Sequence, residues 1–433
     1  MRVRTVCTGC SLLCDDIVVD VEGEKVVSTF NLCGHGEEKV LRARSEDRLL
    51  KPFIRDADKF REVSLDEAAE KAAEIMLEAE RPVLWGWSSS SIEAQIAGIE
   101  LAHEIRGVID NTGSLCHGAT WFVASESGLA TATLGEVMNR ADVVVYWGSD
   151  PGHSHPRHLS RYSLLPRGIY TQSGYEQRRV YVFDIRRTRV GKVANVLVEV
   201  EPNKDYELIV AMRLILRGKK IQRSSVAGVP VKTLERILQE WKERSFGAVF
   251  YGMGLLASRG KYRNLEALFR LVWDLNDYTR FVALPMAGHF NATGFNHTAA
   301  WITGHPSGVD FSKGEPYHNP GETTFAEMLQ RGEIDAALIV GSNPMASFPV
   351  KLAKKLARIP LIVVDCFKTL TVKYATVAIP AAITGVETGG VAYRLDSVPI
   401  ILKEFLKPPE GVRGDAEIIR LITEKVREKK RLK

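Results

Sequence analysis

Val143-Val144-Val145-Tyr146-Trp147-Gly148-Ser149-Asp150-Pro151 is a short apolar strand pattern that stops at a glycine and a polar turn, and it returns as Ala337-Leu338-Ile339-Val340-Gly341-Ser342-Asn343-Pro344. Each copy then reaches a second proline, Pro156 or Pro349. Next comes a strand closing on aspartate, Val182-Phe183-Asp184 or Val363-Val364-Asp365. A basic or threonine-bearing loop follows both, Arg186-Arg187-Thr188 and Lys368-Thr369-Leu370-Thr371. Recurrence in the same order implies two related nucleotide-binding lobes in one chain.

Outward from these segments, strands and helices alternate. Strands are expected at Val83-Leu84-Trp85, 143–147, 180–184, 248–251, 281–284, 337–340 and 361–365. Helices are expected near 91–106, 205–217, 233–244, 261–276, 324–331 and 416–429. Ser64 and Glu67 have capping-box spacing ahead of Leu65, Ala68, Ala72, Ile75 and Ala79, which recur with a helical period. Alternating strands and helices mean parallel sheets covered on both faces. The fold class is α/β.

A chain of 433 residues is too long for one small core, so two or three domains are expected. Hydrophobic residues at 45% and charged residues at 26% fit a soluble globular protein. The net charge of +5 is mild and helps attract anions. No basic stripe interleaved with aromatics speaks for nucleic acid, and the basic stretch from Lys425 to Lys433 reads as a solvated helix end. No apolar run approaches the ~20 residues of a membrane span. Met1-Arg2-Val3-Arg4 runs into cysteines rather than a secretory apolar segment. A cytoplasmic location is expected, where cysteines serve as ligands or nucleophiles rather than disulfides.

Cys7, Cys10 and Cys14 stand in a Cys-x2-Cys-x3-Cys run completed by the remote Cys33. Structural zinc usually takes two separated knuckles. Three close ligands and one distant one suit an iron–sulfur cubane better, with zinc as the alternative. Cys116 lies in Asn111-Thr112-Gly113-Ser114-Leu115-Cys116-His117-Gly118, a polar, glycine-flanked loop after a short strand. Open α/β sheets place reactive groups at such strand ends. An imidazolium at His117 would favour the Cys116 thiolate, although an inert buried cysteine has the same local sequence. Cys366 ends an apolar strand and reads as inert. Gly152-His153-Ser154-His155-Pro156-Arg157-His158 invites a zinc reading. Its counterpart Met345-Ala346-Ser347-Phe348-Pro349 has no histidine, so a cofactor-contacting loop is preferred.

Taken together these segments resemble the molybdopterin-dinucleotide oxidoreductases, which include formate dehydrogenases and nitrate reductases. Within that family the pattern is most similar to the catalytic B subunits of formylmethanofuran dehydrogenases. The motifs are Val6-Cys7-Thr8-Gly9-Cys10 with Cys14-Asp15-Asp16-Ile17, Gly113 to Gly118, Gly288-His289-Phe290-Asn291 with Gly294-Phe295-Asn296, and Ile379 to Glu387 with Gly389-Gly390. The resemblance implies a small N-terminal iron–sulfur subdomain at 1–60 and two Rossmann-like lobes with mainly parallel sheets. The first lobe would be discontinuous, 61–133 and 286–433, and the second 134–285. The C-terminal β-barrel of larger relatives would be absent and supplied by a partner.

By the same resemblance, Cys7, Cys10, Cys14 and Cys33 hold a 4Fe–4S cluster. Cys116 is the protein ligand of tungsten or molybdenum carried by two molybdopterin guanine dinucleotides. His117 and His289 join it as catalytic residues. Gly-rich strand ends expose backbone N–H groups for the dinucleotides: Gly86 with Ser88, Gly148-Ser149-Asp150, Gly252, and Gly341-Ser342-Asn343. Asp184 and Asp365 would accept from guanine or ribose, and Thr369 would lie beside them. The reaction implied is reversible reduction of carbon dioxide to formate, later condensed onto methanofuran. Implied partners are an amidohydrolase-like subunit, a barrel subunit closing over the pterins, and polyferredoxin-type electron donors. The alternatives are a stand-alone formate dehydrogenase or nitrate reductase core, and a non-catalytic iron–sulfur scaffold. Two positions depart from the family pattern. Ala287 stands about where an active-site arginine is expected, and His35 where many relatives carry a lysine linking cluster and pterin.

Overall fold

The computed structural model describes residues 1–56 and 59–432. The chain packs as two compact units. Unit 1 comprises Met1–Leu115, His289–Arg394 and Pro399–Lys433, and unit 2 comprises Cys116–Gly288 and Leu395–Val398. Lys433, the last residue of the basic stretch, lies outside the described residues.

The recurring strand pattern occupies the middle of a sheet in each unit. In unit 2 the order is Val196–Glu199, Arg179–Asp184, Val143–Trp147, Phe246–Tyr251 and Arg280–Pro285, all parallel. In unit 1 five parallel strands run Val108–Asn111, Pro82–Gly86, Ala336–Val340, Leu361–Asp365 and Val377–Pro380. Antiparallel strands flank them, Val309–Asp310 on one side and Phe53–Asp56 with Lys59–Glu62 on the other. The fold is therefore mixed α/β with mainly parallel sheets. In both sheets the chain leaves a central strand to one side and later returns on the other. That reversal opens a crevice at the carboxyl ends of the strands, the usual ligand position in such sheets.

Apolar helices cover the sheets because strands buried on both faces need partners on both. In unit 1, Leu65–Glu78, Ile92–Glu104 and Asp415–Leu432 bury Ala72, Leu101 and Ile422 in one core with Leu338 and Val364. Phe325–Arg331 contributes Phe325 and Leu329 to a second core with Trp85 and Ile339. In unit 2, Trp241 of Val231–Lys242 and Leu268 of Tyr262–Asn276 pack with Tyr181 and Phe281.

The capping spacing at Ser64 appears as a bond. The Glu67 N–H donates to Ser64 Oγ at 3.1 Å, while the Glu67 carboxylate pairs with Arg61 at 2.8 Å. Ser64→Ala removes that acceptor and should lower stability by about 1 kcal/mol, read as a lower unfolding midpoint.

Residues 1–60 pack within unit 1. Strands Arg2–Thr5, Ile17–Glu22 and Lys25–Phe30 form an antiparallel sheet. Val19 and Val21 share a core with Ile383, Val386 and Phe405. The crossing into unit 2 falls at Leu115–Cys116, ahead of the 133–134 boundary drawn from sequence. Helix Gly118–Ser127 accounts for the difference, since its Val123 is buried in the unit 2 core. Among the described residues no helix is long and apolar enough to cross a membrane.

Candidate active site

Cys7, Cys10 and Cys14 are buried and Cys33 is half-buried, all as thiols rather than disulfides. The loop folds back on itself, with Cys7 N–H donating to the Cys14 carbonyl (2.9 Å) and Gly9 N–H to Cys7 Sγ (3.3 Å). Cys33 caps helix Gly34–Leu41. Helix and loop meet so closely that a Cβ at Gly36 would lie 2.6 Å from Cys7 Sγ. Burial pushes Cys7 up to about 11, and the neighbouring Cys14 and Cys33 add to it. Cys10 is raised further, by burial first and then by Cys7, Cys14 and Cys33. Cys7 and Cys10, desolvated and beside the other two cysteines, fit a cationic metal centre that deprotonates them outright. Among the described residues, no three His, Cys, Asp or Glu side chains converge closely enough for a single ion. A cubane asks for less convergence, because its irons stand between the thiolates.

His35 is exposed. Lys39, one turn further along the same helix, is the cation that reaches the loop. Its Nζ donates to the Thr8 carbonyl at 3.0 Å and lies 4.4 Å from the centre of the Phe290 ring. Desolvation lowers its ammonium to about 8, against the pull of Cys366 and Cys7. Desolvation and then Lys39 hold His289 below the usual imidazole range. Sequence reasoning passed over Lys39 because only the helical turn brings it to the loop. Cys366 is half-buried, and desolvation raises its thiol, consistent with an inert role.

The segment leading to Cys116 is held by Asp110. Its carboxylate accepts from Gly308 N–H (3.1 Å), Phe325 N–H (3.0 Å) and Ser114 Oγ (2.8 Å). Burial pushes Asp110 up to about 6. Ser88 is joined to the same segment through a hydrogen bond from the Thr112 hydroxyl. Cys116 itself is half-buried, and desolvation raises its thiol to about 11 despite the His117 backbone N–H.

His117 is buried, and neither ring nitrogen makes a hydrogen bond of ordinary geometry. Burial lowers its proton affinity to about 4; the Met286 backbone works against this and His155 adds to it. The imidazolium expected to activate Cys116 is therefore absent at neutral pH, because burial rejects the charged ring. In unit 1, Asn111 Nδ2 and Thr293 Oγ1 are also buried without hydrogen bonds. Buried polar groups are rarely left this way. Such orphans fit a polar ligand.

The expected nucleotide residues gather at the carboxyl edges of the two sheets. Unit 1 carries Gly86, Ser88, Gly341, Ser342, Asn343, Asp365 and Thr369 there, and unit 2 carries Gly148, Ser149, Asp150, Asp184 and Gly252. Gly86 has φ +127, and a Cβ there would sit 2.0 Å from the Val340 carbonyl oxygen. Gly148 has φ +55, and its Cβ would meet Leu255 N at 2.3 Å. Only glycine fits these strand ends.

The sequence repeat is repeated in space. Gly148 N–H donates to the Phe183 carbonyl (2.8 Å), and Gly341 N–H to the Val364 carbonyl (2.9 Å). Asp150 accepts from Arg189 N–H at 3.0 Å, and Asn343 from Thr371 N–H at 3.1 Å. Asp150 and Asn343 thus tie the following loops, and Thr369 caps a short helix through Val372 N–H (3.3 Å). Desolvation raises Asp184, which accepts from Arg186 N–H at 3.2 Å. Burial pushes Asp365 up to about 7, opposed by backbone bonds and by Arg42 and Arg48. Arg48, which sequence reasoning missed, is buried and bonded to Glu387 at 2.7 Å, while its Nε and Nη1 have no partner.

The loop with three histidines does not converge on one point. His153 is exposed, His155 Nε2 bonds the Ala287 carbonyl (2.9 Å), and His158 Nδ1 lies 2.9 Å from Ser163 Oγ.

Residues 48–425 match a family model described as molybdopterin oxidoreductase. The chain is 44% identical over 427 residues to the B subunit of tungsten-containing formylmethanofuran dehydrogenase 2 from Methanocaldococcus jannaschii, covering 98% of each. It is 43% identical to the protein of the same name in Methanococcus maripaludis, covering 99% of each. Among solved structures it is similar in fold, with a TM-score of 0.70 and 21% identity, to a chain of the formyltransferase/hydrolase complex of Methylorubrum extorquens, covering 88% of this chain and 99% of that one.

Proposed function

We propose, from the premise that this chain belongs to the molybdopterin oxidoreductase family, that it is the catalytic subunit interconverting carbon dioxide and formate in a formylmethanofuran dehydrogenase. The observation that carries the reading is Cys116 followed by a buried His117 whose ring nitrogens have no hydrogen bond. When bound, tungsten or molybdenum with two molybdopterin guanine dinucleotides supplies the two-electron redox chemistry that side chains lack.

The chain's own residues supply the rest. Cys116 Sγ would be the protein ligand, a soft thiolate donor once the metal displaces its proton. His117, neutral and without a hydrogen bond of ordinary geometry at either ring nitrogen, takes a proton there when formate is oxidised and returns it in the reverse direction. Cys7, Cys10, Cys14 and Cys33 would hold the 4Fe–4S cluster, with the Lys39 charge beside their loop. Backbone N–H groups near Gly86, Gly148, Gly252 and Gly341 would receive phosphates. Asp184 and Asp365 would meet guanine or ribose, and the two spare donors of Arg48 suit an anionic nucleotide.

Two of the relatives are named as subunits, and the similar solved chain belongs to a complex. An amidohydrolase-like subunit would use the formate, a barrel subunit would close over the pterins, and polyferredoxin-type proteins would deliver electrons. Six cysteines kept as thiols suit the cytoplasm.

The test is elemental and pterin analysis of the purified native complex together with turnover. Stoichiometric tungsten or molybdenum, a pair of pterins per chain, and formate or carbon dioxide turnover without nitrate reduction are expected. Iron without either heavy metal would make this chain a scaffold, and nitrate turnover would replace the substrate.

A further inference from the structure

Lys39 brings a positive charge to the cysteine loop without a carboxylate to neutralise it. Its Nζ donates at 3.0 Å to the carbonyl of Thr8, which lies between Cys7 and Cys10 in sequence. The same atom stands 4.4 Å from the centre of the Phe290 ring. Phe290 is 2% exposed and shares a core with Leu13 of the same loop, so loop and ring hold the ammonium between them. Lys39 as a whole is half-buried, and its charged end is the desolvated part. The helix sets this position. Gly36, one turn earlier, is packed so tightly that a Cβ there would lie 2.6 Å from Cys7 Sγ.

Among the described residues no acid forms an ion pair with Lys39. The acids on its own helix face elsewhere. Glu37 is exposed and accepts from Thr29 Oγ1 at 3.3 Å, and exposed Glu38 lies 4.0 Å from Arg42. Asp415 acts on Lys39 only after Cys366 and Cys7 and makes no ion pair with it. Desolvation keeps the Cys366 thiol protonated, so it adds no negative charge. A carbonyl and an aromatic face partly replace water around an ammonium, but they do not neutralise it. An enclosed cation of this kind calls for an anion. A cubane with four thiolates is one, and the potential of such a cluster depends on nearby charge. On reduction it takes up one electron, with no bond made or broken, and gains one negative charge. A fixed cation beside it therefore stabilises the reduced form more than the oxidised form.

We propose that Lys39 is the counter-charge of the cluster on Cys7, Cys10, Cys14 and Cys33, and raises the potential at which that cluster accepts an electron. This rests on the cluster of the proposed function and is independent of the formate chemistry.

The test is a redox titration of the native complex, followed by the absorbance and electron paramagnetic resonance of the reduced cluster. The part of the titration that belongs to this cluster is the part missing from Cys14→Ser. Lys39→Met and Lys39→Gln should keep their iron. At any fixed potential their ratio of reduced to oxidised cluster should fall about tenfold, a shift of about 59 mV to lower potential for one electron. Glutamine can still donate to the Thr8 carbonyl, so an equal fall in both variants assigns the effect to charge. Lys39→Arg and His35→Ala should stay within about twofold of wild type. A wild-type ratio in either neutral variant, a tenfold fall in Lys39→Arg or His35→Ala, or loss of iron from both neutral variants would each overturn the proposal. Zinc in place of iron at these cysteines in the wild-type complex would overturn the cluster itself, which separates that failure from a failure of Lys39.

Discussion

Cys116→Ser in the native complex should abolish formate oxidation, by about a thousandfold or more, while the iron–sulfur absorbance and electron paramagnetic resonance signals persist. The substitution is nearly isosteric, so packing around position 116 changes little. Its chemistry changes a great deal. A thiolate is a soft ligand suited to a heavy metal with sulfur ligands, and a serine hydroxyl is hard and far more difficult to deprotonate. Desolvation already lifts the cysteine to about 11, and the neutral His117 supplies no charge to reverse that. The serine hydroxyl would stay protonated in the same surroundings. The proposed cluster should survive because its candidate ligands Cys7, Cys10, Cys14 and Cys33 belong to unit 1, whereas Cys116 belongs to unit 2. The measurement is turnover alongside the reduced-cluster spectrum of the same sample. Loss of both signals in parallel would assign Cys116 a structural role.

The parallel sheets were legible because Val143–Trp147 is apolar throughout and Leu361–Asp365 is apolar up to its closing aspartate, as a strand covered on both faces requires. The repeat was legible for a different reason. Asp150 and Asn343 make the same loop-tying bonds in the two units, so both copies need a short polar acceptor before a proline. The antiparallel flanks of unit 1 were not legible, since exposed Lys59–Glu62 has no apolar alternation. Helix Gly118–Ser127 was hidden by its small and polar residues, which carry almost no amphipathic pattern.

At the candidate site, cysteine spacing is a local property and could be read directly. The charge of His117 is not local. Its neutrality comes from burial by residues distant in sequence, which is why the expected imidazolium failed. Lys39 and Arg48 escaped notice for the same reason: each acquires its role from a partner on another element. For Arg48 that partner is more than three hundred residues away.

Glu387→Ala should cost unit 1 about 3–5 kcal/mol. Glu387 is fully buried and bonds Arg44 Nη1 at 2.6 Å and Arg48 Nη2 at 2.7 Å. It also accepts from the Ile383 N–H at 2.9 Å, closing its own turn. Alanine would strand Arg48, whose side chain is 2% exposed and already has two donors without partners. The penalty is that of a buried charge left with only the desolvated Asp365 as a neighbouring carboxyl, and it exceeds the net value of the ion pair. Arg44 would suffer less, because its side chain is 25% exposed and water can replace the carboxylate. Glu387→Gln should fall between, keeping an acceptor for Ile383 but losing the charge-assisted bonds, at about 2 kcal/mol. Arg44 and Arg48 follow the Cys33-capped helix, and Ile383 shares a core with Val19 and Val40. The alanine variant should therefore also release the iron of the proposed cluster at a lower denaturant concentration than wild type. Denaturant unfolding followed by fluorescence and by iron release reads both effects. A loss below about 1 kcal/mol for alanine would mean that Arg48 has another anion beside it in the folded protein.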